Sequence, residues 1–142
     1  MALSAQKLLL FANVTARIGL LVKTLTTIYR GATVGVDTTV GYAMGAVEQA
    51  GMQVQGVAIP NAAGDYDNSA GADGAIGVIV YQGEFERSQD GSITQVHVGQ
   101  QAWLVDDETV SLAPGANTVK CGQITKYVSA TSVYVQIVPG WI

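Results

Sequence analysis

The sequence predicts an all-β domain, a small β-barrel or jelly-roll-like sandwich preceded by a short N-terminal helix or extended arm. Three observations point there. Seventeen glycines punctuate the 142 residues, and early in the chain they fall at turn-like intervals, at positions 31, 35, 41, 45, 51, 56 and 64. The last segment alternates, with Val133, Val135 and Ile137 on one face and Ser132, Tyr134 and Gln136 on the other. Only one stretch, near the N-terminus, offers a helical pattern.

That stretch is 4–12, SAQKLLLFA. As a helix it is capped by Ser4 and gathers Leu8, Phe11 and Ala12 on one face; it serves equally as an extended arm lying on a partner. A helix this short is marginal alone in water, so the segment must dock. We therefore expect an arm or short helix over 1–19 and one β domain over 20–142. Residues 20–29, LLVKTLTTIY, read as a strand, and 31–47 as short strands separated by glycine. Another strand, 53–59, is stopped by Pro60. A polar loop of small residues follows over 61–74.

In the strand expected over 75–85, Ile76, Val78 and Val80 share one face while Ile79, Tyr81 and Phe85 share the other, which suits a strand covered on both sides. SQDGS at 88–92 is a turn. Val96, Trp103, Leu104 and Val105 begin the last third, and Val110 and Leu112 precede a turn at Pro114-Gly115. Strand 119–128 starts with Val119 and Cys121 inward. Its apolar set then shifts by one residue to Ile124 and Val128, and Gly122 sits at the shift, where a β-bulge is expected. Pro139-Gly140 ends the final strand and leaves Trp141-Ile142 as an apolar tail.

Composition narrows the function. A chain of this length buries roughly two-thirds of its unfolded surface, so a self-sufficient core is available. It is 49% hydrophobic and only 13% charged, against about 25% charged in ordinary domains. So little charge leaves neutral, partly apolar surface for protein contacts and favours an assembly subunit. The net charge is −4, and the seven bases are scattered, so no basic stripe exists for direct nucleic-acid binding. One cysteine makes no internal disulfide. KLLLFANV is too short to span a bilayer and fits a signal peptide poorly, so no membrane partner is expected and synthesis is placed in the cytosol.

No catalytic constellation is complete. Cys121 and His97 supply a thiol and a base, but Cys121 lies on the apolar face of a strand and His97 alternates with Val96 and Val98. The loop DYDNSAGADG brings Asp65, Asp67 and Asp73 together and begins like a calcium loop. Ala70 stands where such a loop needs glycine and Ile76 where it needs glutamate, so a solvated Asx turn is the better account. The acids Asp106, Asp107 and Glu108 look like a glycosidase pair, yet neighbours on a strand face opposite ways, and a polar turn explains them. GATVG and GYAMG lack the lysine and following helix of a phosphate loop. Tyr81, Tyr127, Tyr134, Trp103 and Trp141 do not form a stacking platform with basic neighbours. We expect no enzyme, no cofactor and no metal.

The order of segments carries a resemblance. YRGATVGVD, GYAMGA, GVAI, NSAGADGAIGVIVYQGEFE and then VGQQAWLVDDETVSL with NTVKCGQITKYVSATSVYVQI resemble the decoration, or cement, proteins of tailed-bacteriophage capsids. The likeness covers roughly 27–138 and is strongest from Gly99 to Ile137. It implies a compact β-barrel or jelly-roll-like subunit, made in the host cytoplasm and placed on the outer capsid surface of the virion. Such a subunit binds the major capsid protein and itself, as a dimer or trimer, and stabilises the shell. The expected contacts are Leu8, Leu9, Leu10 and Phe11 at one chain end and Trp141 and Ile142 at the other. The alternatives are another β-type virion component, such as a head-fibre base or tail-tube subunit, or a small β-barrel ligand-binding protein.

Overall fold

The computed structural model describes residues 11–59 and 64–138. They form strands β1 (Phe11–Leu21), β2 (Thr26–Ile28), β3 (Thr33–Asp37), β4 (Tyr42–Gly45), β5 (Met52–Ala58), β6 (Tyr66–Asn68), β7 (Gly77–Gln89), β8 (Gln101–Leu104), β9 (Thr109–Ser111), β10 (Lys120–Ser129) and β11 (Ser132–Ile137). A single 3₁₀ turn, Gln95–His97, lies between β7 and β8. The all-β expectation holds, and no α-helix occurs among the described residues.

β7 is the spine. Val80 pairs with both Ile18 of β1 and Ala58 of β5, so those strands take its opposite edges. Farther along, Ser88 pairs with both Ser132 of β11 and Thr109 of β9. β7 thus runs between β1 and β5 in its first half and between β9 and β11 in its second. From β9 the pairing passes to β8, β10 and β11 and returns to β7, closing a ring of five strands. On the other side β5, β3 and β4 follow in order, and a parallel bridge from Val22 to Ala43 joins β4 to the end of β1. This second, looser ring shares β7 with the first.

The buried apolar residues form two clusters. Phe85, Leu104, Cys121, Ile124, Val133, Val135 and Ile137 of the first ring share one with Met52, Val54 and Val57 of β5, and Val22, Ile28, Val34, Ala43, Val78 and Val80 make the other. The apolar pattern on both faces of β7 follows from this. Val78 and Val80 face the second core; burial then switches parity, and Gly83, Phe85, Arg87 and Gln89 face the first. Gly83 takes φ 153, open to glycine, at the point where β1 and β11 crowd both edges. Ile79 departs from the expectation: it stays 36% exposed, because its face is covered only farther along the strand.

Several boundaries differ from those read off the sequence. Residues 11–19, in the segment expected as an extended arm or short helix, are extended and pair with β7 in the sheet; the first ten residues of that segment lie outside the described ones. The strand expected over 20–29 is broken. β1 ends at Leu21, the chain turns at Thr24-Leu25, and β2 pairs instead with β6. Thr24 forces the turn by donating its backbone N–H to Asp73 Oδ1 (2.8 Å) and its hydroxyl to the Gly71 carbonyl (2.6 Å). The bulge expected at Gly122 is present: pairing of β10 with β8 slips between Lys120 and Gly122, and Cys121 and Gly122 are both buried. Val128, expected inward, is 44% exposed, because a second slip between Ile124 and Lys126 turns it out.

Candidate functional site

Arg87 is the largest fully buried side chain. Its Nη1 donates to Thr33 Oγ1 (3.0 Å), its Nη2 to the Gly31 carbonyl (2.8 Å) and its Nε to the Glu86 carbonyl (2.8 Å). Burial pulls the guanidinium's pKa down, while the carboxylates of Glu108, Asp107 and Glu86 act in the opposite sense. The arginine therefore ties the start of β3 to the second half of β7, with the acidic turn supplying countercharge.

The three consecutive acids have structural tasks in this turn. Asp106 Oδ1 accepts the N–H groups of Glu108 and Thr109, both at 2.9 Å, and so folds the turn on itself. Asp107 is buried, and its carbonyl accepts the Thr33 N–H at 2.7 Å. The turn is a fastening between the two rings. Cys121 is buried as expected. Burial pushes its thiol up to about 12, against a smaller opposing pull from Arg87, so it carries no thiolate at neutral pH. His97 accepts the Thr94 N–H at Nδ1 (2.9 Å) and so closes its own turn.

The loop acids are also spoken for individually. Asp65 Oδ1 accepts the Arg30 N–H (3.0 Å), and Asp67 Oδ1 accepts the Thr27 hydroxyl (3.1 Å) and the Ser69 N–H (2.9 Å). Asp73 holds Thr24, and Asn68 Nδ2 donates to the carbonyls of Val22, Lys23 and Ala72. The acids point to different anchors and fix the loop to the β1–β2 turn. No group of three metal-ligating side chains gathers among the described residues.

What the geometry does present is apolar surface at one end of the second ring. Leu25 is 79% exposed, Leu21 57% and Val40 46%. Leu21 and Tyr42 meet across Gly74, whose glycine hydrogen leaves room for both: a Cβ there would lie 3.3 Å from Tyr42 Cε1 and 3.5 Å from Leu21 Cδ1. Lys23 Nζ reaches Asp37 Oδ2 at 3.4 Å and draws the β3–β4 turn, which carries Val40, towards the same corner. Leu25 is held there with φ 56, a left-handed conformation unusual for leucine. None of these residues stands out in the sequence, because a lone leucine in TLTT has the look of a strand position.

Of the residues expected as contacts at the chain ends, only Phe11 lies among the described ones. Leu8, Leu9, Leu10, Trp141 and Ile142 lie outside the described residues. Phe11 is the first residue of β1, opposite Phe85. Among the described residues no helix is long and apolar enough to cross a membrane. Compared with known proteins, the chain matches no family model, and no curated protein matches it.

Proposed function

We propose that the protein is a structural virion component, a decoration protein that binds the outside of a phage head and bridges major capsid protein subunits. The observation that carries this reading is the run from Gly99 to Ile137, whose order and spacing resemble such proteins throughout. Those residues make β8 to β11, the wall that closes the first ring on β7. The low charge and the apolar end at Leu21, Leu25 and Val40 support it, since exposed apolar patches mark protein contacts. Many copies on one shell convert modest single contacts into firm retention.

The test is co-sedimentation with purified heads. Because the described part of β1 starts at Phe11, the informative truncation removes residues 1–10 and leaves that part intact. We expect the truncated chain to keep its β-sheet circular dichroism and to bind heads more weakly. Decoration at the full-length level would remove the N-terminal segment from the interface. Failure of the full-length chain to bind heads at all would refute the proposal, and spontaneous rings in electron micrographs would mark a tail-tube subunit instead.

A further inference from the structure

Among the described residues the outer edge of β1 has no strand paired to it. Val22 donates its N–H to Ile76, on the β7 side, and Lys23 donates to Ala43, on the opposite side. From Ala16 to Leu21 the pairing with β7 runs without a slip. Strand alternation therefore turns the N–H and carbonyl groups of Arg17 and Gly19 away from β7, and no strand among the described residues pairs with them. Natural sheets blunt such an edge with proline, lysine, bulges or shortness. β1 has eleven residues; its slips are confined to 11–16, and 16–21 holds no proline and the one charge of Arg17.

We propose that a second copy of this chain occupies this edge, with β1 pairing antiparallel to β1 about a two-fold axis at Ile18. The residues themselves select that register. Ile18 falls opposite Ile18, and Ala16 opposite Leu20. Arg17 falls opposite Gly19, forming the pair that exchanges both backbone hydrogen bonds. Ile18 and Leu20 are half-buried against the second core, so the partner's equivalents extend an apolar face that already exists. A Cβ at Gly19 would meet nothing within 4 Å, which leaves room for the partner's Arg17 side chain. Moving the axis to Arg17 would set two guanidinium groups face to face. The inference does not depend on head decoration.

Sedimentation equilibrium on the full-length chain, across a concentration series, tests it. We expect a reversible dimer of a 14.8 kDa chain. Gly19→Arg places like charges opposite each other twice and is expected to raise the dimer Kd at least tenfold; Gly19→Glu places opposite charges there and is expected to lower it severalfold. Gly19→Pro removes the outward N–H and leaves the β7 side intact, so dimerisation should be lost while the circular dichroism of the monomer is kept. A strictly monomeric chain, a trimer, or a dimer indifferent to the charge at position 19 would each overturn the proposal. Dimerisation only after removal of residues 1–10 would also overturn it and assign the edge to the chain's own N-terminus.

Discussion

Arg87 shows how one buried charge sets the logic of the residues around it. A guanidinium without water needs every donor satisfied, and here the acceptors come from β3, the Gly31 carbonyl and the chain's own Glu86 carbonyl. Replacing it with methionine strands the Thr33 hydroxyl and the Gly31 carbonyl and removes the positive charge that Asp107 and Glu108 favour. We expect Arg87→Met to cost about 3–5 kcal/mol in urea-denaturation stability, and Arg87→Lys to cost less, because it keeps the charge while losing the forked geometry.

Leu25 behaves in the opposite way, since both its exposure and its backbone are unfavourable in the free chain. Leu25→Asn, which tolerates the left-handed conformation, is expected to stabilise the fold by about 0.5–1 kcal/mol. On the decoration reading it also weakens head binding; full binding together with the stability gain would exclude Leu25 as a contact.

Titration divides at the same scale. The Asp37 carboxyl is held below its ordinary value, first by the Thr39 hydroxyl and then by the Thr39 N–H and Lys23, and Asp67 is held down by Ser69 and Thr27. Depressed carboxyls stabilise the fold above their unfolded value, about 3.9, and that contribution is lost as pH falls from there towards their folded values. Cys121 works the other way. Its folded pKa is raised to about 12, so its contribution is complete below the unfolded value and is lost as pH rises from there to about 12. Urea midpoints should therefore fall below about pH 4, and Cys121→Ala should flatten the alkaline decline and leave the acid side unchanged.

Among the elements, those with a local signature were legible and those defined by distant pairing were not. β11 alternates along its whole length, and its three inward residues are all fully buried. The phase break at Gly122 was readable because a bulge leaves two adjacent inward positions in the sequence. Its companion slip at Ile124–Lys126 was not, because Thr125 and Tyr127 are as plausible outward as inward, and Val128 was misplaced with them. β1 was hidden for another reason: its first residues follow LLL, a run that suits helix, arm or strand, and only β7 decides which. Of the site, the burial of Cys121 and the turn at Asp106 to Glu108 were readable, while their common neighbour Arg87 looked like one more scattered base. The two glycines Gly122 and Gly19 separate packing from propensity. At Gly122 a Cβ would run into the Gln136 carbonyl and lie 2.9 Å from Val135 Cγ1, so Gly122→Ala should cost about 2–3 kcal/mol by forcing β10 from β11. Gly19→Ala meets open space and should change stability by no more than about 0.5 kcal/mol.

At the scale of the molecule, two cores on one strand raise the question of whether they unfold together. β7 contributes Val78 and Val80 to one and Phe85 to the other, so neither ring closes without it. Arg87 adds a second fastening by joining β7, inside the first ring, to β3 in the second, and the Thr33 N–H bond to Asp107 adds a third. Separate opening of the second ring would expose its apolar cluster and break these ties at once. Native-state hydrogen exchange should therefore show the amides of β3 and β5 opening with the same free energy and denaturant dependence as those of β10 and β11. In Arg87→Met the arginine tie is gone while β7 remains continuous. Protection in β3 should then fall below that in β10, and the two sets of amides should separate into two opening units. Equal loss of protection across both rings in that variant would mean that β7, together with the Met52, Val54 and Val57 side chains of β5 packed in the first cluster, couples them and that the buried arginine serves only the stability of its own ring.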